Sequence, residues 1–315
     1  MTRKLNRILV TGGAGYIGSI LVPRLLNEGC EVVVIDNLMY NQSALLDCCH
    51  NDKFTIVRGD TRDKELLARY IKDVDAILPL ACLTGAPLCQ KFPVEAETII
   101  VDAIKMIIEL SSKDQAIIYP TTNSGYGIGE KGKHCTEETP LRPISLYGKL
   151  KVEAERLILE RGNGITLRLA TAFGVSPRMR LDLLVNDFTY RAVYDRFLVL
   201  FEAHFNRNFC HVRDISDAFV HCLRNFDKMK DQAYNVGLSE ANLNKQELCK
   251  EIKEFVPDFY FIEADVGSDP DKRDYIVSNA KIESTGFKAS RSIQSGIKEL
   301  IKGYQIIKRN QYSNV

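Results

Sequence analysis

This sequence has almost no excess of one charge over the other and no long apolar run. The 315 residues carry 42 Lys and Arg against 41 Asp and Glu, so no net field attracts nucleic acid or an anionic membrane surface. No apolar run reaches the roughly 18 residues of a membrane-spanning helix, and the first one, Ile8 to Thr11, is too short for a signal peptide. We expect a cytoplasmic protein with a small-molecule substrate, and no nucleic acid or membrane as partner.

The cysteines lack the spacing of a metal site or a disulfide framework. There are nine of them, an odd count without any C-x-x-C pair, which is typical of reduced thiols. Cys48, Cys49 and His50 form the single local cluster, and no second pair follows at zinc spacing. We therefore expect no metal site.

Short apolar runs alternate with helical spacing through the first half of the chain. The runs are RILVT (7–11), EVVVID (31–36), FTIVRG (54–59), VDAILPLA (74–81), AIIYPT (116–121) and ITLRLA (165–170). Nearly continuous apolar strands separated by helices indicate a parallel sheet covered on both faces. The pattern predicts an α/β fold with a doubly wound parallel sheet of the Rossmann type.

The first strand runs into a glycine-rich turn, VTGGAGYIG (10–18). Glycines between a strand and a helix let the backbone approach a pyrophosphate, whose charge the helix start attracts. The second strand ends in Asp36, eighteen residues after Gly18. A carboxylate there accepts hydrogen bonds from ribose hydroxyls and repels a 2′-phosphate. The predicted cofactor is therefore NAD, and Asp36 as a simple turn former is the alternative.

Further cofactor contacts are expected at the ends of the first four strands. Asp60, in the turn after the third strand, could cap a helix or meet the adenine amine, and the sequence leaves both open. The predicted NAD-binding set comprises Gly12, Gly15, Tyr16, Ile17, Gly18, Asp36, Asn37, Asp60, Thr61, Leu80 and Ala81, and is completed by Tyr147 and Lys151.

The pattern changes after about residue 171, where it becomes irregular and rich in arginine. We predict an NAD-binding domain over residues 1–170, to which the chain returns near 209–237, where HVRDISDAFVHCL (211–223) indicates a strand end and a helix. The rest of residues 171–315 would form a smaller, mixed lobe that binds substrate.

The stretch SLYGKLKVEAERLILE (145–160) predicts a helix that carries Tyr147 and Lys151 four residues apart on one face. An ammonium near a phenol lowers its pKa from about 10 toward neutrality, which would make the phenol a general base or acid. Such a pair is also common on a solvated helix face, so it needs further support.

Taken together, these motifs resemble the extended short-chain dehydrogenase/reductases, the nucleotide-sugar epimerase and dehydratase family. Its catalytic Ser or Thr lies four residues before the tyrosine of a YG pair, which is Tyr126-Gly127 in TTNSGYG (121–127). The resemblance implies a catalytic group of Thr122, Tyr147 and Lys151, in which Tyr147 takes a proton from a sugar hydroxyl and Lys151 also binds the nicotinamide ribose. It also implies a homodimer that pairs the Tyr147 helix with one near 94–112.

The same resemblance suggests where the nucleotide sugar binds. Arg207 in RNFCHVRD and Arg273 in DPDKRDY match arginines that hold the substrate diphosphate, and each could instead form a surface salt bridge. Dehydratases of the family carry an acid just after the catalytic hydroxyl, where this chain has Asn123 and Ser124, so dehydration is not expected. The predicted substrate-binding set is Thr84, Asn123, Ser124, Thr171, Arg178, Arg207 and Arg273.

Several longer stretches resemble one branch of this family, whose members oxidise a GDP-linked heptose at C4 for capsular polysaccharide. They are VIDNLM (34–39), TNSGYGIGEK (122–131), RPISLYG (142–148), SPRMRLDLLVNDFTYRA (176–192) and DPDKRDYIVSN (269–279). The resemblance implies an NAD-dependent nucleotide-sugar 4-dehydrogenase. A nucleotide-sugar 4-epimerase is the first alternative, with residues 82–87 lining the space that would decide between them, and a non-catalytic NAD-binding regulatory protein is the second.

Overall fold

The computed structural model describes residues 5–41, 43–264 and 273–307. Strands and helices alternate through the first two thirds of the chain. The strands are β1 Arg7–Thr11, β2 Glu31–Asp36, β3 Phe54–Arg58, β4 Ala76–Pro79, β5 Ala116–Thr122, β6 His134–Cys135, β7 Gly164–Leu169, β8 Thr171–Phe173, β9 Phe197–Leu200, β10 Asn206–His211, β11 Gln232–Val236, β12 Asn242–Asn244, β13 Tyr260–Glu263 and β14 Ile276–Val277.

The helices connect these strands. They are α1 Gly18–Asn27, α2 Lys64–Ile71, α3 Ala86–Lys91, α4 Pro93–Glu97, α5 Ala103–Leu110, α6 Leu146–Arg161, α7 Leu184–Tyr194, α8 Val212–Arg224, α9 Phe226–Met229, α10 Lys245–Phe255, α11 Ala280–Ser284 and α12 Ile293–Gly303. A π-helical turn, Thr98–Asp102, joins α4 to α5, so the helix expected near 94–112 is present but changes its hydrogen-bond period in the middle.

Seven parallel strands form the central sheet in the order β11-β7-β5-β4-β1-β2-β3. All six apolar runs of the sequence lie in this sheet, so the predicted Rossmann-type α/β fold is confirmed. The strand order reverses between β1 and β4, and in such sheets ligands bind at the carboxyl ends of the strands beside that point. The glycine turn follows β1 there.

Successive residues of each central strand pack on opposite faces of the sheet. Ile8 and Val10 of β1 belong to the cluster that also contains α1, α8 and α12 side chains, whereas Leu9 belongs to the cluster on the other face, with α2, α5 and α6 side chains. Because both faces are covered by helices, the strands are apolar at nearly every position. This explains why they read as continuous runs in the sequence.

The chain crosses the predicted boundary at residue 170 more than once. Strand β11 pairs with β7 at the edge of the central sheet, and α8 packs on α1. A separate sheet contains β8, β10 and β12, and two-stranded pairs join β9 to β13 and β6 to β14. The division into residues 1–170 and 171–315 stays a prediction.

Candidate active site

The glycine turn after β1 lies directly against the loop that follows β4. Gly12 has a φ of 68°, and a Cβ at this position would lie 2.6 Å from the Cα of Ala81. Its amide donates to the carbonyl of Ile35 at 2.8 Å. Only glycine satisfies both the left-handed backbone and this close approach, so the chain turns tightly here without a side chain that would fill the space.

Asp36 connects the glycine turn to the end of β2. One carboxylate oxygen accepts a hydrogen bond from Ala14 N at 2.9 Å, and the other accepts one from Leu38 N at 2.8 Å. Each carboxylate oxygen has two lone pairs, so the carboxylate can still accept hydrogen bonds from ribose hydroxyls. The backbone thus fixes the orientation of the Asp36 carboxylate beside the glycine turn, and its role in NAD recognition stays a prediction.

The start of α1 is suited to a phosphate group. Within the described residues, neither an acidic side chain in the first turn nor a side-chain hydrogen bond to the N-cap is present. The start of a helix carries partial positive charge, because the peptide dipoles align along the helix axis. Together with the open glycine turn, this arrangement fits the pyrophosphate of NAD.

Most of the predicted site residues line one cavity above the carboxyl ends of the strands. The predicted residues in its lining are Gly12, Gly15, Tyr16, Ile17, Gly18, Asp36, Asn37, Asp60, Thr61, Leu80, Ala81, Thr84, Thr122, Ser124, Tyr147, Lys151, Thr171, Arg178 and Arg273. Cys82 to Gly85 of the expected segment 82–87 also line it, but Ala86 and Pro87 do not. Asp60 is held in its turn by Arg62, whose backbone N donates at 2.9 Å and whose guanidinium donates at 2.6 Å.

The hydroxyl of Thr122 is oriented by the turn that follows β5. Its Oγ1 accepts a hydrogen bond from Ser124 N at 3.1 Å and donates to Ser124 Oγ at 2.9 Å. Arg273 in turn donates to Ser124 Oγ. The proton of Thr122 is therefore engaged with Ser124, and one lone pair of Oγ1 is left for a donor in the cavity.

Tyr147 and Lys151 both line the cavity from α6, which begins where Ser145 Oγ accepts a hydrogen bond from Gly148 N at 3.1 Å. The expected lowering of the Tyr147 pKa is wrong for this structure. Burial raises the pKa of Tyr147 above its ordinary value and outweighs the opposing effect of Lys151. Lys151 Nζ itself donates to the hydroxyl of Tyr119 at 3.0 Å and to the carbonyl of Pro120 at 2.8 Å.

The predicted substrate arginines occupy different places. Arg178 lies in the lining with its guanidinium 3.8 Å from the ring centroid of Tyr40. Arg273 reaches Ser124 at the catalytic end. Arg207 is buried outside the lining. It donates to the carbonyl of Asn206 at 2.8 Å and to the carbonyl of Arg273. The cavity lining therefore does not include Arg207.

Asn123 is the other predicted residue outside the lining. It is buried, and among the described residues its amide has no hydrogen-bond partner. Conversely, the lining includes Tyr40, Arg180 and Tyr275, which the sequence analysis did not select. Tyr40 follows the VIDNLM stretch directly, and Arg180 and Tyr275 lie within stretches that resemble the family branch. Their place next to predicted site residues in the sequence was the signal that could have identified them.

The distribution of charge separates the two ends of the cavity. The carboxylates in its described lining are Asp36 and Asp60, both at the ends of β2 and β3. Arg273 brings positive charge to Ser124, and Arg180 opposes the rise of the Tyr147 pKa, whereas Arg178 lies against Tyr40. Arg180 is paired with Asp182 at 2.5 Å. Among the described lining residues, the end that contains Thr122 and Tyr147 thus offers hydroxyl groups and cations, and no carboxylate that could act as a second acid or base.

Two other features are absent from the part of the chain that the structure describes. No group of three or more His, Cys, Asp or Glu side chains there could hold a metal ion. In those same residues, we find no helix with the length and apolar character to cross a membrane. All nine cysteines have free thiols, and Cys49 is exposed.

Comparison with known proteins gives relatives along nearly the whole chain. The chain is 29% identical over 320 residues to UDP-glucuronic acid decarboxylase 1 of Arabidopsis thaliana, covering 96% of this chain and 71% of the relative. It is 26% identical to UDP-glucose 4-epimerase of Lactobacillus helveticus, over 78% of this chain and 81% of the relative.

Among solved structures, the UDP-glucuronic acid 4-epimerase of Bacillus cereus, in complex with UDP-glucuronic acid and NAD, superimposes with a TM-score of 0.84 at 21% identity. The match covers 96% of this chain and all of that one. The model of the NAD dependent epimerase/dehydratase family matches residues 8–237, which confirms the expected cofactor as a property of the family. The chain therefore belongs to the NAD-dependent epimerase/dehydratase family, whose matched region includes the glycine turn, Asp36, Thr122, Tyr147 and Lys151.

Proposed function

We propose that this protein oxidises a nucleotide-linked sugar at C4, with NAD as hydride acceptor, and that the sugar is GDP-D-glycero-α-D-manno-heptose. One observation supports oxidation as the reaction. Thr122, Tyr147 and Lys151 line the same cavity as the glycine turn and Asp36, and the described lining has no carboxylate near Thr122 and Tyr147. The heptose and the guanine rest on the quoted stretches, of which residues 269–272 lie outside the described residues.

In this proposal each residue has a defined task. NAD, when bound, supplies the electrophilic carbon that receives the hydride. Tyr147 accepts the proton of the sugar C4 hydroxyl, while Thr122 turns its own proton from Ser124 Oγ to the same oxygen and fixes its position. Lys151 stabilises the phenolate of Tyr147 electrostatically and binds ribose hydroxyls. Thr84, Thr171 and the lining arginines would hold the nucleotide sugar, and Arg207 would act through Arg273.

A 4-epimerase is the second candidate, because the Lactobacillus helveticus and Bacillus cereus relatives carry that name. It would use the same three residues and return the hydride to the other face of the keto sugar. Dehydration is disfavoured because it needs a second acid and base, and the described lining offers neither near Thr122. A non-catalytic NAD-binding protein is disfavoured because the tyrosine and the lysine are both retained.

The deciding experiment mixes purified protein and NAD with GDP-D-glycero-α-D-manno-heptose, and in parallel with UDP-glucose and UDP-glucuronic acid. Cofactor absorbance and product mass are both recorded. Formation of NADH with the loss of two hydrogens from the heptose supports the dehydrogenase. An isomer of unchanged mass without accumulated NADH indicates an epimerase, and loss of carbon dioxide from the glucuronic acid indicates a decarboxylase. Turnover of UDP-glucose or UDP-glucuronic acid, without turnover of the heptose, would contradict the GDP-heptose assignment.

The pH dependence of the reaction follows from the state of Tyr147. Burial raises the pKa of its phenol, and oxidation requires the deprotonated form, so the rate of cofactor reduction should rise as the pH rises above neutrality. Tyr147→Phe should reduce the rate by about 10²- to 10⁴-fold and leave NAD binding within about twofold of wild type. Stopped-flow absorbance and NAD titration measure the two quantities. An active Tyr147→Phe variant would remove Tyr147 from the mechanism.

A further inference from the structure

The ammonium of Lys151 is held from the side of β5. Lys151 is 4% exposed, and its Nζ donates to Tyr119 Oη at 3.0 Å and to the Pro120 carbonyl at 2.8 Å. The same Nζ lies 4.3 Å from the centroid of the Tyr119 ring. An ammonium has three donors, so these two bonds leave one N–H for the cavity.

The sheet explains why Tyr119 occupies this position. Tyr119 and Ile117 share the face of β5 that packs against α6, and both belong to the apolar cluster there. The same strand continues to Thr122, three residues later. One strand therefore positions the predicted catalytic hydroxyl at its end and the acceptor for the predicted catalytic lysine in its interior.

The chemistry of the acceptor matters because Lys151 must keep its charge. A buried ammonium is stable only with hydrogen-bond partners. Burial holds the pKa of the Tyr119 hydroxyl well above its usual range, so this phenol stays neutral. A carboxylate in its place would satisfy the ammonium equally well but would cancel much of its field at Tyr147. A neutral phenol satisfies a donor and preserves the positive charge.

We propose that Tyr119 is a positioning residue for Lys151: its neutral hydroxyl holds the ammonium at a fixed place beside Tyr147, so that the full charge stabilises the phenolate during oxidation. The inference rests on the proposed function and names a residue outside the Thr122, Tyr147 and Lys151 group. Tyr119 does not line the cavity. Its direct effect on Tyr147 is to raise the pKa of that phenol, so a rise of the pKa on removal of the Tyr119 hydroxyl would report the route through Lys151.

Other titratable groups surround this pair on several elements. Cys82 lies in the loop after β4 and Cys89 in α3, and burial raises the pKa of the Cys89 thiol to about 12. Glu155 of α6 is paired with Arg168 of β7 at 2.7 Å. Arg180, which also lines the cavity, is paired with Asp182. Arg168 and Arg180 each have a carboxylate as partner. Lys151 is therefore the cation that the hydroxyl of Tyr119 holds in place.

The test compares the ionisation of Tyr147 in wild type and in Tyr119→Phe. Phenylalanine keeps the ring and its contact with the ammonium, and removes only the hydroxyl. Phenolate absorbance is recorded against pH for each protein and for its Tyr147→Phe counterpart, and the difference isolates Tyr147. We expect the midpoint to rise by about one pH unit in Tyr119→Phe, since a charged hydrogen bond is lost, and cofactor reduction at neutral pH to slow about tenfold.

Tyr304→Phe is the matched control. Its hydroxyl is buried, donates to the Asn186 carbonyl at 2.5 Å and lies outside the cavity lining, so its loss should reduce stability without moving the Tyr147 midpoint. In a Lys151→Met background, Tyr119→Phe should have no further effect. An unchanged or lowered midpoint in Tyr119→Phe overturns the inference, and so does an equal shift in Tyr304→Phe. The titration needs no substrate, so a failure of the proposed oxidation would be recognised separately.

Discussion

At the scale of single residues, Asp36 shows how one side chain can serve structure and recognition together. Its carboxylate accepts from Ala14 N and Leu38 N. We expect Asp36→Asn to weaken NAD binding about tenfold, because the amide presents a donor toward one of these N–H groups and loses the charge that attracts ribose hydroxyls. Discrimination against NADP should also fall, since the repulsion of a 2′-phosphate is gone. Titration with both cofactors measures the two effects.

Asp75→Asn provides the comparison at the opposite end of the sheet. Asp75 also accepts from two backbone N–H groups, those of Asn6 and Arg7, each at 2.8 Å, but it does not line the cavity. This variant should lose stability and bind NAD as wild type does. Equal loss of NAD affinity in both variants would show that Asp36 acts through stability alone.

At the scale of elements, α6 depends on a buried ion pair for its attachment to the sheet. Arg168 of β7 and Glu155 of α6 are only 8% and 4% exposed at their side chains and lie 2.7 Å apart. Glu155→Gln should lower the free energy of unfolding by about 3 to 5 kcal/mol, because it leaves a buried guanidinium without its counter-charge. Chemical denaturation followed by circular dichroism measures this change.

The same helix offers an exposed pair as the control. Arg156 contacts Glu153 and Glu160 at 2.7 and 2.6 Å, with half of its own side chain exposed. Arg156→Ala should change the free energy of unfolding far less than Glu155→Gln does, since exposed pairs are weak. A Glu155→Gln variant as stable as Arg156→Ala would mean that solvent reaches the Arg168 pair.

At the scale of the whole molecule, one apolar cluster extends from β1 to α12. We expect the chain to unfold in a single transition and the fragment 1–170 not to fold by itself, because it lacks β11 at the sheet edge and α8 against α1. Since the sequence has no tryptophan, far-ultraviolet circular dichroism during heating is the suitable measurement. A fragment with a cooperative transition of its own would support an independent first domain.

The homodimer belongs to the same scale and stays a prediction from the family resemblance. The π-helical turn Thr98–Asp102 and α5 form the helix that would pair with α6 across the interface. Light scattering should give twice the 35.6 kDa mass of the chain if the prediction holds. A mass of one chain would contradict it.

What the sequence determines by itself is local in the chain. The strand RILVT, the glycine turn, α1 and Asp36 lie within thirty residues, and their backbone requirements act over short distances, so their order alone predicts the Rossmann fold and NAD. The helix from Ser145 is equally local, since its cap and its Tyr147 and Lys151 spacing lie within two turns.

Only the tertiary structure decides which distant groups meet. Tyr119 contacts Lys151 across 32 residues and Arg273 contacts Ser124 across 149, and neither pairing follows from a period or a motif. The burial of Tyr147 likewise depends on packing, which is why its pKa is raised although the sequence predicted the opposite. Periodicity reports which face of an element is apolar, whereas the partners of polar side chains depend on how the sheet and helices pack together.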